Sequence, residues 1–262
     1  MALSHSIRAF ALTDKGKVRA GNEDAFLCRP QAGLFAVADG MGGHAGGATA
    51  SAAIVEALSR VEPQNSAGDL RRLAEEALHD AHRDILLLAE QRGLGTIGST
   101  VVALLMFEDR YACLWAGDSR AYLLRGDDIV QITRDHTEVA QLVADGLLSA
   151  EEARSWPRRN VITRAVGAGD ALLLDFVSGE LVDGDRFVLC SDGLTGHVAA
   201  EEIGRLAAGR SPQNACRELV EMALQCGGSD NITVLVAAYE LNADAVCSGS
   251  AQHESRDGAP SH

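Results

Sequence analysis

The grouping of short apolar segments constrains the fold of this chain more than any other feature. Residues 7–12, 24–27 and 34–38 are apolar runs punctuated by Gly, Asn, Asp and Pro, the signature of β-strands. Residues 100–107, 111–116, 119–125 and 128–133 form a second strand group. Hairpin turns are expected there at Glu108-Asp109-Arg110 and Gly126-Asp127. Segments 172–181, 186–190 and 232–239 complete the strands. Between the groups the period becomes helical, over residues 47–60, 70–92, 137–153, 199–208 and 212–226. In the second of these helices Leu70, Leu73, Ala77, Leu78, Ala81, Ile85 and Leu88 share one face, and residues 62–69 before it read as a loop. Hairpin-linked strands with helix pairs between them do not follow the βαβ alternation of a parallel sheet. The pattern predicts an α+β fold: two antiparallel sheets packed as a sandwich, with helix pairs on the outer faces in four αββα layers.

The first and last strands both feed the apolar core, so residues 1–240 are expected to form one domain. Residues 241–262 turn small and polar and are expected to be a disordered tail. The longest apolar runs, such as 100–107, are too short to span a bilayer. No basic patch precedes a long apolar run at the start, so no signal peptide is expected. The net charge of −14 argues against nucleic acid and anionic membranes as partners. The six cysteines, Cys28, Cys113, Cys190, Cys216, Cys226 and Cys247, contain no CxxC pair. This reads as a reduced, cytoplasmic protein with neither disulfide framework nor structural zinc. A monomer is the default expectation.

The placement of the acids is more telling than their number. Residues 34–38 run into Asp39-Gly40, residues 111–116 into Gly117-Asp118-Ser119, and residues 186–190 into Ser191-Asp192-Gly193. Ser229-Asp230-Asn231 precedes the final strand, and Glu23-Asp24 opens the second. Each alone is an ordinary turn sequence. Five together, each beside small residues at a strand end, place carboxylates where backbone and ligand can approach closely. Carboxylates crowded at one edge repel unless a cation offsets them. All-oxygen ligands suit Mg²⁺, Mn²⁺ or Ca²⁺, whereas zinc favours His and Cys. A multi-metal carboxylate site follows, and its ions would supply the positive field that a phosphate ligand needs in so acidic a chain.

Arg19-Ala20-Gly21-Asn22-Glu23-Asp24, Ala38-Asp39-Gly40-Met41-Gly42-Gly43-His44, Ala116-Gly117-Asp118-Ser119-Arg120, Ser191-Asp192-Gly193-Leu194 and Gly228-Ser229-Asp230-Asn231-Ile232-Thr233 resemble, in order, the motifs of the metal-dependent protein phosphatase family of the 2C type (PPM). The resemblance spans about residues 7–240, and the Met-Gly-Gly-His continuation resembles the bacterial branch, whose members commonly oppose Ser/Thr kinases. It implies the same sandwich with flanking helix pairs and two or three divalent ions, Mn²⁺ or Mg²⁺. By the same resemblance Asp39 bridges two metals, and the Gly40 carbonyl and Glu23 serve the second, with Asp24 nearby. Asp192 and Asp230 hold the first, and Asp118 shares a third, more weakly bound ion with Asp192. Arg19 is the implied phosphate-binding arginine, suited to gripping two phosphate oxygens. His44 is the implied proton donor or substrate contact, although it stands three residues beyond the position the eukaryotic branch uses. The implied reaction is hydrolysis of phosphoserine and phosphothreonine in phosphorylated proteins by direct attack of a metal-bridging hydroxide. The implied partners are phosphorylated proteins and a cognate Ser/Thr kinase. Residues 137–164, with Arg154, Arg158 and Arg159, lie where the family carries a flap beside its active site.

Other readings compete. Gly40-Met41-Gly42-Gly43-His44-Ala45 satisfies GxGxxA, the dinucleotide fingerprint, but Asp39 would repel a pyrophosphate there. The residue six beyond each cysteine is never Arg, which excludes a Cys-x5-Arg phosphatase, and no Walker lysine, HExxH or GxSxG occurs. A non-catalytic binding relative would be marked by lost metal acids, and here they are all present.

Overall fold

A computed structural model describes residues 5–42, 46–93, 95–158 and 160–241. The first half contains strands β1 (His5–Asp14), β2 (Asp24–Arg29) and β3 (Leu34–Met41), with a 3-10 turn at Pro30–Ala32. Helices α1 (Gly46–Ser59) and α2 (Ala67–Arg92) follow, then β4 (Gly98–Ser99), β5 (Val101–Phe107), β6 (Arg110–Ala116), β7 (Arg120–Arg125) and β8 (Asp128–Gln131). The second half contains α3 (Glu138–Ala144), α4 (Ala150–Arg154), β9 (Asp175–Glu180), β10 (Arg186–Cys190), α5 (Asp192–Thr195), α6 (Ala200–Ala207), α7 (Pro212–Gln225) and β11 (Ile232–Leu241).

One sheet runs β1-β11-β10-β7-β8, the other β2-β3-β5-β6-β9 with β4 beside β3. Neighbours are antiparallel throughout, and the first and last strands pair from His5↔Leu241 to Asp14↔Ile232. Because side chains alternate along a strand, each strand feeds two layers. Phe35 and Val37 face the other sheet, where Phe187, Leu189 and Leu235 meet them. Leu34, Ala36 and Ala38 face α1 and α2 and pack on Ile54, Leu58, Leu78 and Ile85. On the far side, Val188, Val234 and Val236 pack on Ile203 and Leu219 of α6 and α7. Covering on both faces is why residues 34–38 are apolar without alternation. Each fully buried large side chain contributes about 1.5–3 kcal/mol.

The four expected layers are present, and the departures from the sequence reading are local. Ser66 accepts from the Asp69 N–H and caps α2, which therefore starts inside the expected loop. The expected single helix over 137–153 is two. Thr137 caps α3, the chain turns at Asp145-Gly146, and a reciprocal Ser149–Glu152 capping box starts α4. β9 starts three residues later than expected and β8 ends two earlier. β11 includes Leu241, taken from the sequence as tail, and residues 242–262 lie outside those described. Asp192 opens a short helix rather than simply ending a strand. β3 is antiparallel to both neighbours and α1 leads straight into α2, which removes the dinucleotide reading.

Candidate metal centre and active site

The acids gather at one edge of the sandwich because both sheets end there. Antiparallel pairing of β2 with β3 sets Asp24 opposite Asp39. Thr100, at the start of the neighbouring strand, fixes Asp39 from both sides: its Oγ1 accepts from the Asp39 N–H at 3.1 Å and its N–H donates to the Asp39 carbonyl at 2.9 Å. Ser99 Oγ donates to the same carbonyl at 2.9 Å. The Gly40 N–H donates to the Glu23 carbonyl at 3.2 Å, and a Cβ at Gly40 would stand 2.2 Å from the Gly47 carbonyl oxygen. The start of α1 is thereby pressed against Gly40, and the Glu23 carboxylate lies over Gly47.

Asp24 ties the two sheets together. Its Oδ2 accepts from Ser191 Oγ at 2.8 Å and Thr233 Oγ1 at 2.7 Å, while its Oδ1 is buried with no hydrogen-bond partner. Asn231 holds the loop before Asp24, accepting from the Glu23 N–H at 2.8 Å and donating to the carbonyls of Lys15 at 2.8 Å and Gly21 at 2.9 Å. This sets Arg19 beside Asp230, with Nη2 2.6 Å from Oδ2. The Asn231 N–H donates to the other Asp230 oxygen at 2.8 Å. Asp118 is buried in the turn between β6 and β7, where Gly117 takes a φ of +114° and presses on Thr100.

Burial and mutual repulsion act on these carboxyls together. Burial, then the charges of Asp24, Asp192, Asp118 and Asp230, holds Asp39 well above the usual carboxylate range. Asp24 is pushed up to about 6, chiefly by burial and against the pull of its two hydroxyl donors. Asp118 is pushed up to about 7 by burial, with Asp192 and Asp135 adding to it. Burial, then Asp230, also raises Asp192, opposed by a hydrogen bond with Asp39 and by Arg19 and Arg120. Two carboxylates in hydrogen-bond contact must share a proton or a cation.

The donor set fits hard divalent cations: clustered carboxylates, a backbone carbonyl and an unpartnered buried Asp24 oxygen. Among the described residues no three acidic, His or Cys side chains are already drawn onto one point as ligands, and Asp230 is turned towards Arg19.

Beside the acids opens a cleft of about 630 Å³, with Asp118, Asp192 and Asp230 on one wall and Thr137, Val139 and Ala140 of the flap on the other. His197 and Ser229 also line it, hydrogen-bonded at 2.9 Å, and sequence reasoning missed both. It missed Ser191, Thr233 and Asn231 as scaffolding too; the available signal was a polar residue beside each acid at the end of an apolar strand. Of the expected basic lip, Arg158 is paired with Glu138 at 2.8 Å, while Arg159 and the Arg154 side chain lie outside the described residues. His44 also lies outside them.

Comparison with known proteins agrees with this geometry. A family profile described as Protein phosphatase 2C matches residues 16–233. The serine/threonine protein phosphatase PstP of Mycobacterium tuberculosis is 40% identical over 234 residues, 88% of this chain and 45% of PstP. The chain thus spans about half the length of that relative. Serine/threonine phosphatase stp of Listeria innocua is 34% identical over 238 residues, covering 87% of this chain and 94% of that protein. The solved catalytic domain of PstP in complex with two manganese ions matches with a TM-score of 0.83 at 35% identity, over 90% of this chain and 100% of that one. Fold, motif order and clustered acids converge with these matches: the chain belongs to the protein phosphatase 2C family.

Proposed function

We propose that this chain is a phosphoprotein phosphatase that hydrolyses phosphoserine and phosphothreonine with Mn²⁺ or Mg²⁺. The observation that carries the reading is Asp39, a carboxyl crowded by Asp24, Asp118, Asp192 and Asp230 with few cations in reach. Asp39, Asp192, Asp230, Glu23 and the Gly40 carbonyl would hold a metal pair, Asp24 would support it through its free Oδ1, and Asp118 with Asp192 would hold a third ion. When bound, such ions make water nucleophilic near neutral pH and neutralise phosphoryl oxygens.

The chain's own residues do the rest. Arg19 is more than half exposed and, among the described residues, is hydrogen-bonded to Asp230 alone, so its guanidinium can turn onto the substrate phosphate and take two oxygens. The flap wall of the cleft excludes water from one side of the bound phosphoryl group. His44 gives a proton to the departing serine or threonine oxygen. Phosphorylated proteins are the substrates, and a cognate bacterial Ser/Thr kinase makes them. Residues 1–240 act as one catalytic domain, monomeric and cytoplasmic, with the tail beyond. Among the described residues no helix is long and apolar enough to cross a membrane.

The test is hydrolysis of p-nitrophenyl phosphate and of phosphopeptides. Mn²⁺ should support the rate and EDTA abolish it, and Asp39→Asn or Asp192→Asn should each cost about 100-fold or more. Full activity in either variant refutes the metal assignment. His44→Asn should slow phosphopeptide hydrolysis far more than p-nitrophenyl phosphate hydrolysis, because p-nitrophenolate leaves unprotonated. Wild type that is inactive with Mn²⁺ yet binds a phosphoprotein would favour a binding module instead.

A further inference from the structure

His136 stands where the two stems of the flap meet the turn that carries Asp118. It is buried, and each of its polar groups is engaged. Its N–H donates to the Gly117 carbonyl at 2.9 Å, and the Gly117 N–H donates back to its Nδ1 at 3.2 Å. Its carbonyl accepts from the Thr163 N–H at 2.8 Å, and Thr137 next to it bridges Ile162. Nε2 lies 3.1 Å from Asp175 Oδ2, and the other Asp175 oxygen accepts from Arg164 at 2.7 Å. Trp115 stacks on the ring with centroids 6.1 Å apart. Since Nδ1 must accept from Gly117, the ring proton resides on Nε2, facing Asp175.

We propose that His136 is a positioning residue for Asp118: it clamps the Gly117-Asp118 turn against the flap stems and so sets the affinity of the most weakly held divalent ion. The inference rests on the reading of Asp118 as a metal acid. Gly117 has the widest conformational choice of any residue type. Thr100 confines it on one side and His136 on the other, so releasing the Nδ1 contact lets the Asp118 carboxylate move. Among the described contacts His136 touches none of Asp39, Asp192 and Asp230; it reaches Asp39 only through Gly117 and Thr100, so the effect is largest at the Asp118 site.

The experiment is calorimetric titration of the metal-stripped full chain with Mn²⁺. Two substitutions separate the ring nitrogens. His136→Asn keeps a polar atom near the Nδ1 position, and His136→Gln keeps one near Nε2. His136→Gln should weaken the weakest Mn²⁺ by about tenfold and leave tighter ions unchanged, with His136→Asn near wild type. A purely structural role would affect both variants alike, so equal loss in the two, or wild-type binding in His136→Gln, overturns the proposal. Should His136→Gln fail to fold, Asp175→Asn carries the test. It weakens the anchor that holds the ring from its Nε2 side and should weaken the same ion, and unchanged binding refutes the clamp. Wild type without Mn²⁺-dependent phosphatase activity refutes the proposed function, whereas active wild type with unaltered variants refutes only the role of His136.

Discussion

At the scale of residues, the clustered acids are distinct from the groups that hold them in place. Asp39 near the end of β3, Asp192 just after β10 and Asp230 just before β11 stand beside small neighbours, and that is why they are visible in the sequence. Their supports are not. Asn231 reaches back 208 residues to the Glu23 N–H and 216 to the Lys15 carbonyl, and Asp24 finds its hydroxyl donors 167 and 209 residues away. No local pattern encodes such pairs, because each side chain would be an ordinary polar residue in another fold. Asn231→Ala is expected to cost about 1–2 kcal/mol, since it removes at once the partner of the half-buried Glu23 N–H and of the Lys15 and Gly21 carbonyls. Urea unfolding measures this, and a change below half that value would show that water replaces the side chain freely.

At the scale of elements, helix and strand types follow from periodicity, while their ends follow from side-chain caps. Ser66 and Ser149 each start a helix where the apolar period alone gives no boundary. Across the fold, Arg29 of β2 closes the far end of α1, donating from Nη1 to the Ser59 carbonyl at 2.6 Å and the Val61 carbonyl at 2.7 Å. A cation at a helix C-terminus is favoured by the helix dipole as well as by the hydrogen bonds. Arg29→Ala should therefore cost about 1–2 kcal/mol, with Arg29→Lys recovering part of it. Chemical denaturation of the two variants decides between them, and equal losses would show that the dipole contributes nothing. The opposite end of α1 presses on Gly40, so the same helix that Arg29 caps supports the Asp39-Gly40 end of β3.

At the scale of the whole molecule, the clustered acids link stability to pH and to metal. In the metal-free chain the carboxyl groups of Asp24 and Asp118 titrate near 6 and 7 rather than in the ordinary carboxylate range. A carboxyl raised on folding favours the folded state while it is protonated. Its contribution is complete below about pH 4 and is lost as pH rises through 6 and 7. Burial lowers His82 and His136, which act in the opposite sense, so the readout is the increment given by Mn²⁺ rather than the melting temperature alone. That increment should be small at pH 5 and larger at pH 8, reaching about 2.7 kcal/mol when Mn²⁺ is at 100 times its Kd. Differential scanning calorimetry with and without Mn²⁺ measures it, and an increment independent of pH would mean that the acids are not the ligands. The sequence by itself determined the layer order, the two antiparallel sheets and the list of acids, because hydrophobic period and small-residue turns are local properties. Only the tertiary structure decided which acids face each other, which oxygen of Asp24 is free and where His136 is anchored. Those facts depend on sheet register and on contacts between residues far apart in the chain, which exist only once the two sheets have packed.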